Sequence, residues 1–261
     1  MSASSFLEIE GLCVVYGGLR AVDDVSLRVP CEGITGLIGP NGAGKTTLID
    51  AVTGFAPIAG GSIRFEGRDI TRMRAHRRAL SKLSRTFQSL ELFEDMTVAD
   101  NVRVTTESSQ WWRSLSDVIL RWRAKDSDDV ARALSLLGLD GVADRLPSSL
   151  SQAERKSVAL ARAIVARPTL LMLDEPAAGL DRIETEELGT RLRQVAASGL
   201  GLLLVDHDMA LVLTVCDYIH VLDAGRLIAS GTPAEIRGNP DVLHSYLGED
   251  PARVEPAGGA A

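Results

Sequence analysis

Several features that define large classes of protein are absent from this sequence. No apolar run approaches about 20 residues, the length that an α-helix needs to cross a bilayer. Residues 1–10 show neither the basic start nor the apolar stretch of a secretory signal peptide. We therefore expect a cytoplasmic protein, which can still sit on a membrane through a partner protein.

A surplus of basic charge is absent too, and cysteines are few. The 28 basic residues against 35 acidic ones give a net charge of −7, which argues against general nucleic-acid binding because that needs a basic surface. Cys13, Cys31 and Cys216 lie far apart, so no pair has metal-ligand spacing and no even-numbered disulfide framework exists. We expect them to be small buried side chains in a reducing compartment.

The most informative stretch present is a glycine-rich loop between a predicted strand (residues 34–38) and a predicted helix (residues 45–52). It matches the phosphate-loop pattern G-x-x-x-x-G-K-[ST]. Backbone N–H groups of such a loop surround phosphate oxygens, Lys45 can reach the outer phosphates, and Thr46 offers a hydroxyl to Mg²⁺. The helix dipole also favours a triphosphate. The loop reads Gly39-Pro40-Asn41-Gly42-Ala43-Gly44-Lys45-Thr46-Thr47. With strand, loop and helix in order, this pattern predicts a nucleoside triphosphate site rather than a chance glycine-rich turn.

Two further apolar runs end in residues suited to phosphate hydrolysis. Residues 170–173 lead into Asp174, which would help to hold Mg²⁺ directly or through water, and Glu175, placed to orient or deprotonate the attacking water. Residues 201–205 form another predicted strand and are followed closely by His207. The carboxyl ends of parallel strands are where open α/β sheets bind ligands, so we expect these groups to meet there.

Other segments give weaker signals. Residues 6–15, 21–30 and 62–65 are predicted strands, and this β-rich start departs from a plain doubly wound fold. Residues 156–166 are predicted to be helical, and residues 218–229 to be a hairpin. An aromatic segment, residues 108–125, is either the packing face of a peripheral helix or a surface for lipid or a membrane partner. A basic segment is predicted to be a solvated helix face; its residues are Arg72, Arg74, Arg77, Arg78, Lys82 and Arg85.

Taken in order, these motifs resemble those of the ATP-binding subunits of ABC transporters. The resemblance implies that ATP is contacted by Tyr16, which stacks on adenine, by the phosphate loop, and, in the site of a second subunit, by Ser151, Ala153, Glu154 and Asp181. It implies that Mg²⁺ is held by Thr46, Gln88 and Asp174. It implies that the catalytic residues are Glu175, the switch residue His207 and the Q-loop residue Gln88.

The same resemblance implies the fold. It is α/β, a P-loop NTPase core of ABC type with an N-terminal antiparallel β-subdomain and an inserted α-helical subdomain at about residues 89–165. The ATPase domain would span residues 6–248, and residues 249–261 would be a disordered tail, as their composition also indicates.

Finer features resemble the ATPase subunits of branched-chain amino acid importers. They are Arg85-Thr86-Phe87-Gln88, Leu92-Phe93, Met96-Thr97-Val98 and residues 175–181. Urea or amide import, lipopolysaccharide export and, less favoured, a soluble non-transport ABC ATPase stay open as alternatives. A sensor that binds ATP without hydrolysing it would lack Glu175 or His207, and both are present.

Family membership implies specific partners. Two such subunits, as a homodimer or as a heterodimer with a related ATPase, would sandwich two ATPs head to tail. They would dock on transmembrane permease subunits at a groove near Gln88, on the inner face of the cell membrane. An extracytoplasmic solute-binding protein would take part indirectly, and nucleic acid would not.

One position departs from the family pattern. The signature motif, residues 150–154, usually has glycine where this chain has Ala153 and glutamine where it has Glu154. An added Cβ can crowd the phosphate or strain the turn, so we expect a defect in the ATP site of the partner subunit and pairing with a different ATPase. The alternative is that a homodimer tolerates alanine through a small loop shift.

Overall fold

Two β-sheets organise the computed structural model, which describes residues 6–86, 92–105 and 128–247. The strands are β1 (Phe6–Tyr16), β2 (Leu19–Pro30), β3 (Ile34–Ile38), β4 (Gly60–Phe65), β5 (Arg68–Asp69), β6 (Leu83–Thr86), β7 (Leu170–Asp174), β8 (Gly201–Val205), β9 (Tyr218–Asp223) and β10 (Arg226–Gly231). The helices are α1 (Lys45–Thr53), α2 (Ala75–Leu80), α3 (Val98–Arg103), α4 (described over residues 128–136), α5 (Gln152–Val165), α6 (Arg182–Ala197), α7 (Met209–Val215), α8 (Pro233–Arg237) and α9 (Pro240–Leu247).

The smaller sheet is antiparallel and confirms the predicted β-rich start. Its strand order is β2-β1-β4-β5. Burial alternates along most of β1 and β2, because one face of the sheet packs on the core and the other faces solvent.

The larger sheet carries the predicted nucleotide-binding strands. Its order is β10-β9-β3-β8-β7-β6, with parallel pairing throughout except between β10 and β9. Every residue of β3, β7 and β8 is buried, which explains why these strands are continuous apolar runs in the sequence.

The register of this sheet determines the level at which its parallel strands end. Leu37 of β3 and Asp174 of β7 both pair with Val205 of β8. The three strands therefore end at nearly the same level, and the residues that follow them emerge at one edge of the sheet. This is the edge where the sequence predicts the nucleotide site.

The helices α3, α4 and α5 share a hydrophobic core with one face of the larger sheet. Val102, Leu134 and Val158 are all buried in it. These helices lie within the predicted inserted subdomain, whose exact bounds stay a prediction. The aromatic segment and the tail at residues 249–261 lie outside the described residues.

The start of α5 differs from the prediction, which placed it at residue 156. The helix begins at Gln152 instead, with Ser151 as its N-cap. The Ser151 hydroxyl accepts from the Glu154 N–H at 3.2 Å, and the Glu154 carboxylate accepts from the Ser151 N–H at 2.7 Å. This reciprocal capping box satisfies the first N–H groups and extends the helix into the signature segment.

The predicted solvated basic face is wrong for two of its residues. Arg78 is only 3% exposed, and its guanidinium donates to the carbonyls of Ala51 at 2.6 Å and Val52 at 2.7 Å in the last turn of α1. Carbonyls in the last turn of a helix lack regular intrahelical partners, and besides Arg78 the C-cap N–H of Gly54 donates to one of them, Ala51, at 3.3 Å. Arg78 therefore completes the helix end. The side chain of Arg85 is also largely withdrawn from solvent, in ion pairs described below.

The described cysteines are free thiols, as predicted. Cys31 and Cys216 are buried, whereas Cys13 is partly exposed. Burial raises the pKa of the Cys216 thiol to about 12, so this side chain is a neutral packing group.

Candidate active site at the carboxyl edge of the sheet

The phosphate loop has a backbone that requires glycine. Gly39 and Gly44 have φ angles of 151° and 97°. A Cβ on Gly39 would collide with the carbonyl oxygen of Leu222, and one on Gly44 with that of Ala21. The two glycines therefore let the loop lie directly against neighbouring strands with its backbone in the required conformation.

Lys45 lies at the junction of this loop and α1. The side chain is buried, and its ammonium donates to the carbonyl oxygens of Gly39 at 2.6 Å and Pro40 at 2.9 Å. The helix starts at Lys45 with Gly44 as its N-cap, and its first turn contains no acidic residue. A cation, open helical N–H groups and the helix dipole thus converge on one point, an arrangement that suits a phosphate chain.

Asp174 ends β7 in a buried ionic cluster. Its Oδ2 accepts from Arg85 Nη2 at 2.7 Å, and the other terminal nitrogen of Arg85 pairs with Asp50 of α1. The side chains of Arg85 and Asp174 are 9% and 6% exposed. The guanidinium compensates the buried carboxylate and links the metal-binding candidate Asp174 to α1 and to β6.

Glu175 and His207 meet at the same edge. The Oε1 of Glu175 lies 3.9 Å from Nδ1 of His207, which is in turn 3.7 Å from Oδ1 of Asp206. Glu175 has a φ of 48°, and its N–H donates to the Val205 carbonyl at 2.7 Å. The carboxylate is half-buried and the imidazole exposed, so both groups can reach a water molecule above the sheet edge.

Two of the residues that the resemblance assigns to the ATP site of a second subunit, Ser151 and Asp181, are helix N-caps in this chain. Ser151 caps α5, and Asp181 caps α6 by accepting from the Glu184 N–H at 2.9 Å. Ala153 is the second residue of α5 and is not among the residues with positive φ. The backbone at Ala153 is therefore regular helix in this chain and shows no strain, while crowding of the partner's phosphate by its Cβ stays a prediction.

Tyr16 and Gln88 are the outlying members of the predicted set. Tyr16 ends β1 beside a turn of two glycines with positive φ, and its side chain is exposed. Gln88 lies outside the described residues. The roles of both in nucleotide binding stay predictions.

Four side chains that sequence reasoning did not assign also belong to this edge. They are Asp50, Arg85, Lys156 and Asp206. Asp206 carries a signal in retrospect, because it directly follows an apolar strand and precedes His207. The other three form their contacts with residues distant in the sequence.

The residues present fit ATP and Mg²⁺. The glycine backbone, Lys45 and the α1 N-terminus suit a triphosphate, while Thr46 and Asp174 offer the oxygen donors that Mg²⁺ takes. Within the described ranges no group of three His, Cys, Asp or Glu residues could hold a metal by itself. Magnesium usually relies on one or two protein ligands plus substrate phosphates, so this donor set suits it.

No described helix is long and apolar enough to span a membrane.

Comparisons with known proteins agree with this geometry. A family described as "ABC transporter" matches residues 22–178, and one described as "Branched-chain amino acid ATP-binding cassette transporter" matches residues 226–252. The high-affinity branched-chain amino acid transport ATP-binding protein LivG of Salmonella typhimurium is 40% identical over 250 residues, 93% of this chain and 98% of the relative. BraF of Pseudomonas aeruginosa, with the same description, is 37% identical over 249 residues, again 93% and 98%.

A second group of relatives and a solved structure extend the comparison. The lipopolysaccharide export ATP-binding protein LptB of Escherichia coli is 36% identical over 245 residues, 94% of this chain and 98% of the relative. The crystal structure of the ADP conformation of MJ1267, an ATP-binding cassette of an ABC transporter, superposes with a TM-score of 0.81 at 28% identity and covers 94% of this chain and 100% of that one. The family match spans more than half of the sequence and the relatives nearly all of it, so the chain belongs to the ABC transporter family, as one of its ATP-binding, ATP-hydrolysing subunits.

Proposed function

We propose that this subunit powers the import of branched-chain amino acids. The observation that carries the substrate class is the match of residues 226–252 to a branched-chain amino acid transporter family, supported by LivG and BraF at 40% and 37% identity. LptB, at 36% identity, makes lipopolysaccharide export the second candidate.

The chemistry that we assign to the site is hydrolysis of the terminal phosphate of ATP. The glycine loop and Lys45 bind the phosphate chain, Glu175 accepts the proton of the attacking water, and His207 orients that water and the leaving phosphate. Thr46, Asp174 and Gln88 would hold Mg²⁺, which neutralises charge on the phosphates. The separation of 3.9 Å between Glu175 and His207 supports a shared water, because one molecule beside the pair can lie within hydrogen-bond distance of both groups.

The working form that we assign is a head-to-tail dimer on the inner face of the cell membrane. Ser151, Ala153, Glu154 and Asp181 would face the ATP of the partner subunit, and Tyr16 would stack on adenine in its own site. ABC cassettes of transporters work as dimers with membrane permeases. The specific partners of this subunit would be a second ATPase, the permeases and a solute-binding protein.

Uptake in a strain that lacks the gene tests the substrate class. We expect wild type to restore uptake of radiolabelled leucine, while Glu175→Gln does not, since loss of a general base slows hydrolysis by ~10²–10⁴-fold. The Glu175→Gln protein should still bind Mg·ATP. A matched control is Glu186→Gln on α6, which removes an exposed carboxylate paired with Arg182 and should leave uptake normal.

Other outcomes would redirect the proposal. Normal leucine uptake in the deletion strain, together with a defect in urea or amide uptake or in lipopolysaccharide export, would overturn the substrate assignment. Near-normal ATP turnover by Glu175→Gln would overturn the role of Glu175 as the base.

A further inference from the structure

The turn that follows Glu175 is held by two charged side chains. The ammonium of Lys156 donates to the carbonyl oxygens of Pro176 at 2.7 Å and Ala178 at 2.5 Å. Between them, the N–H of Ala177 donates to Oδ2 of Asp206 at 3.2 Å. Two peptide groups of the turn, Pro176–Ala177 and Ala178–Gly179, are therefore held by a cation and an anion from outside the turn.

Withdrawing the charges of Lys156 and Asp206 from water is unfavourable, and their hydrogen bonds must compensate for this desolvation. Asp206 is fully buried, and its second carboxylate oxygen accepts from the Asp208 N–H at 3.0 Å. Lys156 is half-buried, and this desolvation lowers its pKa, opposed by the charges of Asp206, Glu175 and Glu184. Since buried charges without partners are strongly unfavourable, the turn and its two anchors stabilise one another.

The turn needs this support because Glu175 has an unfavourable backbone. Its φ of 48° lies in the left-handed region, which is unfavourable for a residue with a Cβ. The N–H of Ala178 closes the turn by donating to the Glu175 carbonyl at 3.1 Å. Fixing the turn therefore also fixes the direction in which the Glu175 carboxylate leaves the backbone.

Lys156 also connects the turn to the signature segment. It lies in the second turn of α5, whose N-cap is Ser151. The side chain of Gln152, the first residue of α5, lies against Gly179, since a Cβ on that glycine would be 2.7 Å from Gln152 Nε2. A shift of the start of α5 would therefore move the turn after Glu175 with it.

We propose that Lys156 and Asp206 are positioning residues that hold the Glu175 carboxylate and couple it to the signature segment of the same chain. This inference rests on the proposed role of Glu175 as the base. The signature segment of this chain would face the ATP bound by the partner subunit. Contact with that ATP would therefore set the position of Glu175 at the ATP bound by this chain. Hydrolysis at the two sites is then linked through α5 and the turn.

Steady-state hydrolysis by the ATPase assembled with its membrane partners is the first measurement. We expect Lys156→Met to lower kcat by about 100-fold, the scale of a 1 Å misplacement of a reacting group, with little change in ATP affinity. Lys156→Arg should recover part of the rate, because it keeps the cation and its donors. The control is Lys82→Met, which removes an exposed lysine at the start of β6 and should leave kcat unchanged.

A double-variant cycle separates positioning from a general structural role. If Lys156 acts only through Glu175, then Lys156→Met combined with Glu175→Gln hydrolyses ATP no more slowly than Glu175→Gln alone, measured in single turnover. Multiplying losses would overturn the inference. Asp206→Asn supplies a second variant in case Lys156→Met folds poorly, and it should lower kcat with ATP binding retained.

The outcomes for the inference and for the proposed function differ. A slow Glu175→Gln protein beside a Lys156→Met protein with normal kcat would reject the inference alone. A Glu175→Gln protein with normal turnover would reject the assignment of the base itself, whatever the Lys156 variants do.

Discussion

Ala153 illustrates how one side chain can depart from a family pattern without straining the backbone. It occupies the second position of α5, where Ser151 and Glu154 form a capping box. Alanine favours a helix over glycine by up to about 1 kcal/mol. The methyl group therefore supports the start of the helix, and only its bulk near a bound phosphate could affect hydrolysis.

Replacing this alanine tests what the bulk does. We expect Ala153→Gly to change the ATPase rate by less than about tenfold, because the strain that would have contributed ~1–3 kcal/mol is absent and tenfold corresponds to ~1.4 kcal/mol. We also expect slightly lower stability in urea unfolding. The comparison should use both the isolated protein and the assembled transporter. A rate increase well beyond tenfold in either setting would restore the idea of a defective site and of pairing with a different ATPase.

Residues that act through side chains at strand ends could be predicted from the sequence, whereas those that bind backbone or distant partners could not. Glu175 and His207 follow apolar runs, and the structure places them 3.9 Å apart. Lys156 instead binds carbonyl oxygens about 20 residues away, and nothing in its own neighbourhood marks that contact. The Arg85–Asp174 pair spans 89 positions, which only the sheet order brings together.

At the scale of elements, β6 depends on the ionic cluster of Arg85, Asp50 and Asp174. Removing one member of a buried ion pair typically costs about 3–5 kcal/mol, because the other charge stays buried without compensation. We expect Arg85→Met to lower the free energy of unfolding by ~3 kcal/mol, the lower end of that range, since Asp50 keeps 31% exposure. Urea unfolding followed by circular dichroism measures this change.

A surface pair provides the control for Arg85. Arg28 pairs with Glu8 at 2.8 Å on the smaller sheet and is 69% exposed, so Arg28→Met should change stability little. Adding Asp50→Asn to Arg85→Met should recover part of the loss by removing one uncompensated charge. Equal stability of Arg85→Met and Arg28→Met would show that the cluster contributes nothing to the fold.

Element boundaries show the same division between local and long-range information. The strands β3, β7 and β8 were predicted nearly residue by residue, since buried parallel strands are unbroken apolar runs. The start of α5 was missed because the capping box precedes the apolar periodicity by several residues. The prediction that Arg78 lies on a solvated helix face is wrong because its burial depends on the end of α1, 26 positions away in the sequence.

At the scale of the whole molecule, the fold and the hydrolytic site follow from this chain, but the substrate class does not. An ATP site carries no information about the transported solute, which in the proposed transporter would be selected by a binding protein and by transmembrane subunits. The substrate proposal therefore depends on the likeness of residues 226–252 to one family. Direct membrane affinity, by contrast, is a property that this chain alone determines.

We expect the purified protein to remain largely unbound to anionic lipid vesicles. The net charge of −7 is repelled by such a surface. Against this, the segment with all three tryptophans carries Arg113, Arg121, Arg123 and Lys125, each of which contributes about 1 kcal/mol near an anionic membrane. Four such residues give ~4 kcal/mol, a dissociation constant near 1 mM, so at ~0.1 mM accessible lipid only roughly a tenth of the protein would sediment. The tryptophans add nothing to this value under the first of the two alternatives for the segment, in which they pack against the protein.

Co-sedimentation with vesicles at low and high salt measures the bound fraction of the protein. The comparison is a variant that carries Trp111→Ala, Trp112→Ala and Trp122→Ala. Sedimentation of most of the wild type, lost in the variant, would identify residues 108–125 as a lipid anchor, because apolar insertion adds affinity that charge alone cannot supply. Weak and equal binding of both proteins, decreasing further with salt, is the outcome expected of a subunit that reaches the membrane through its permeases.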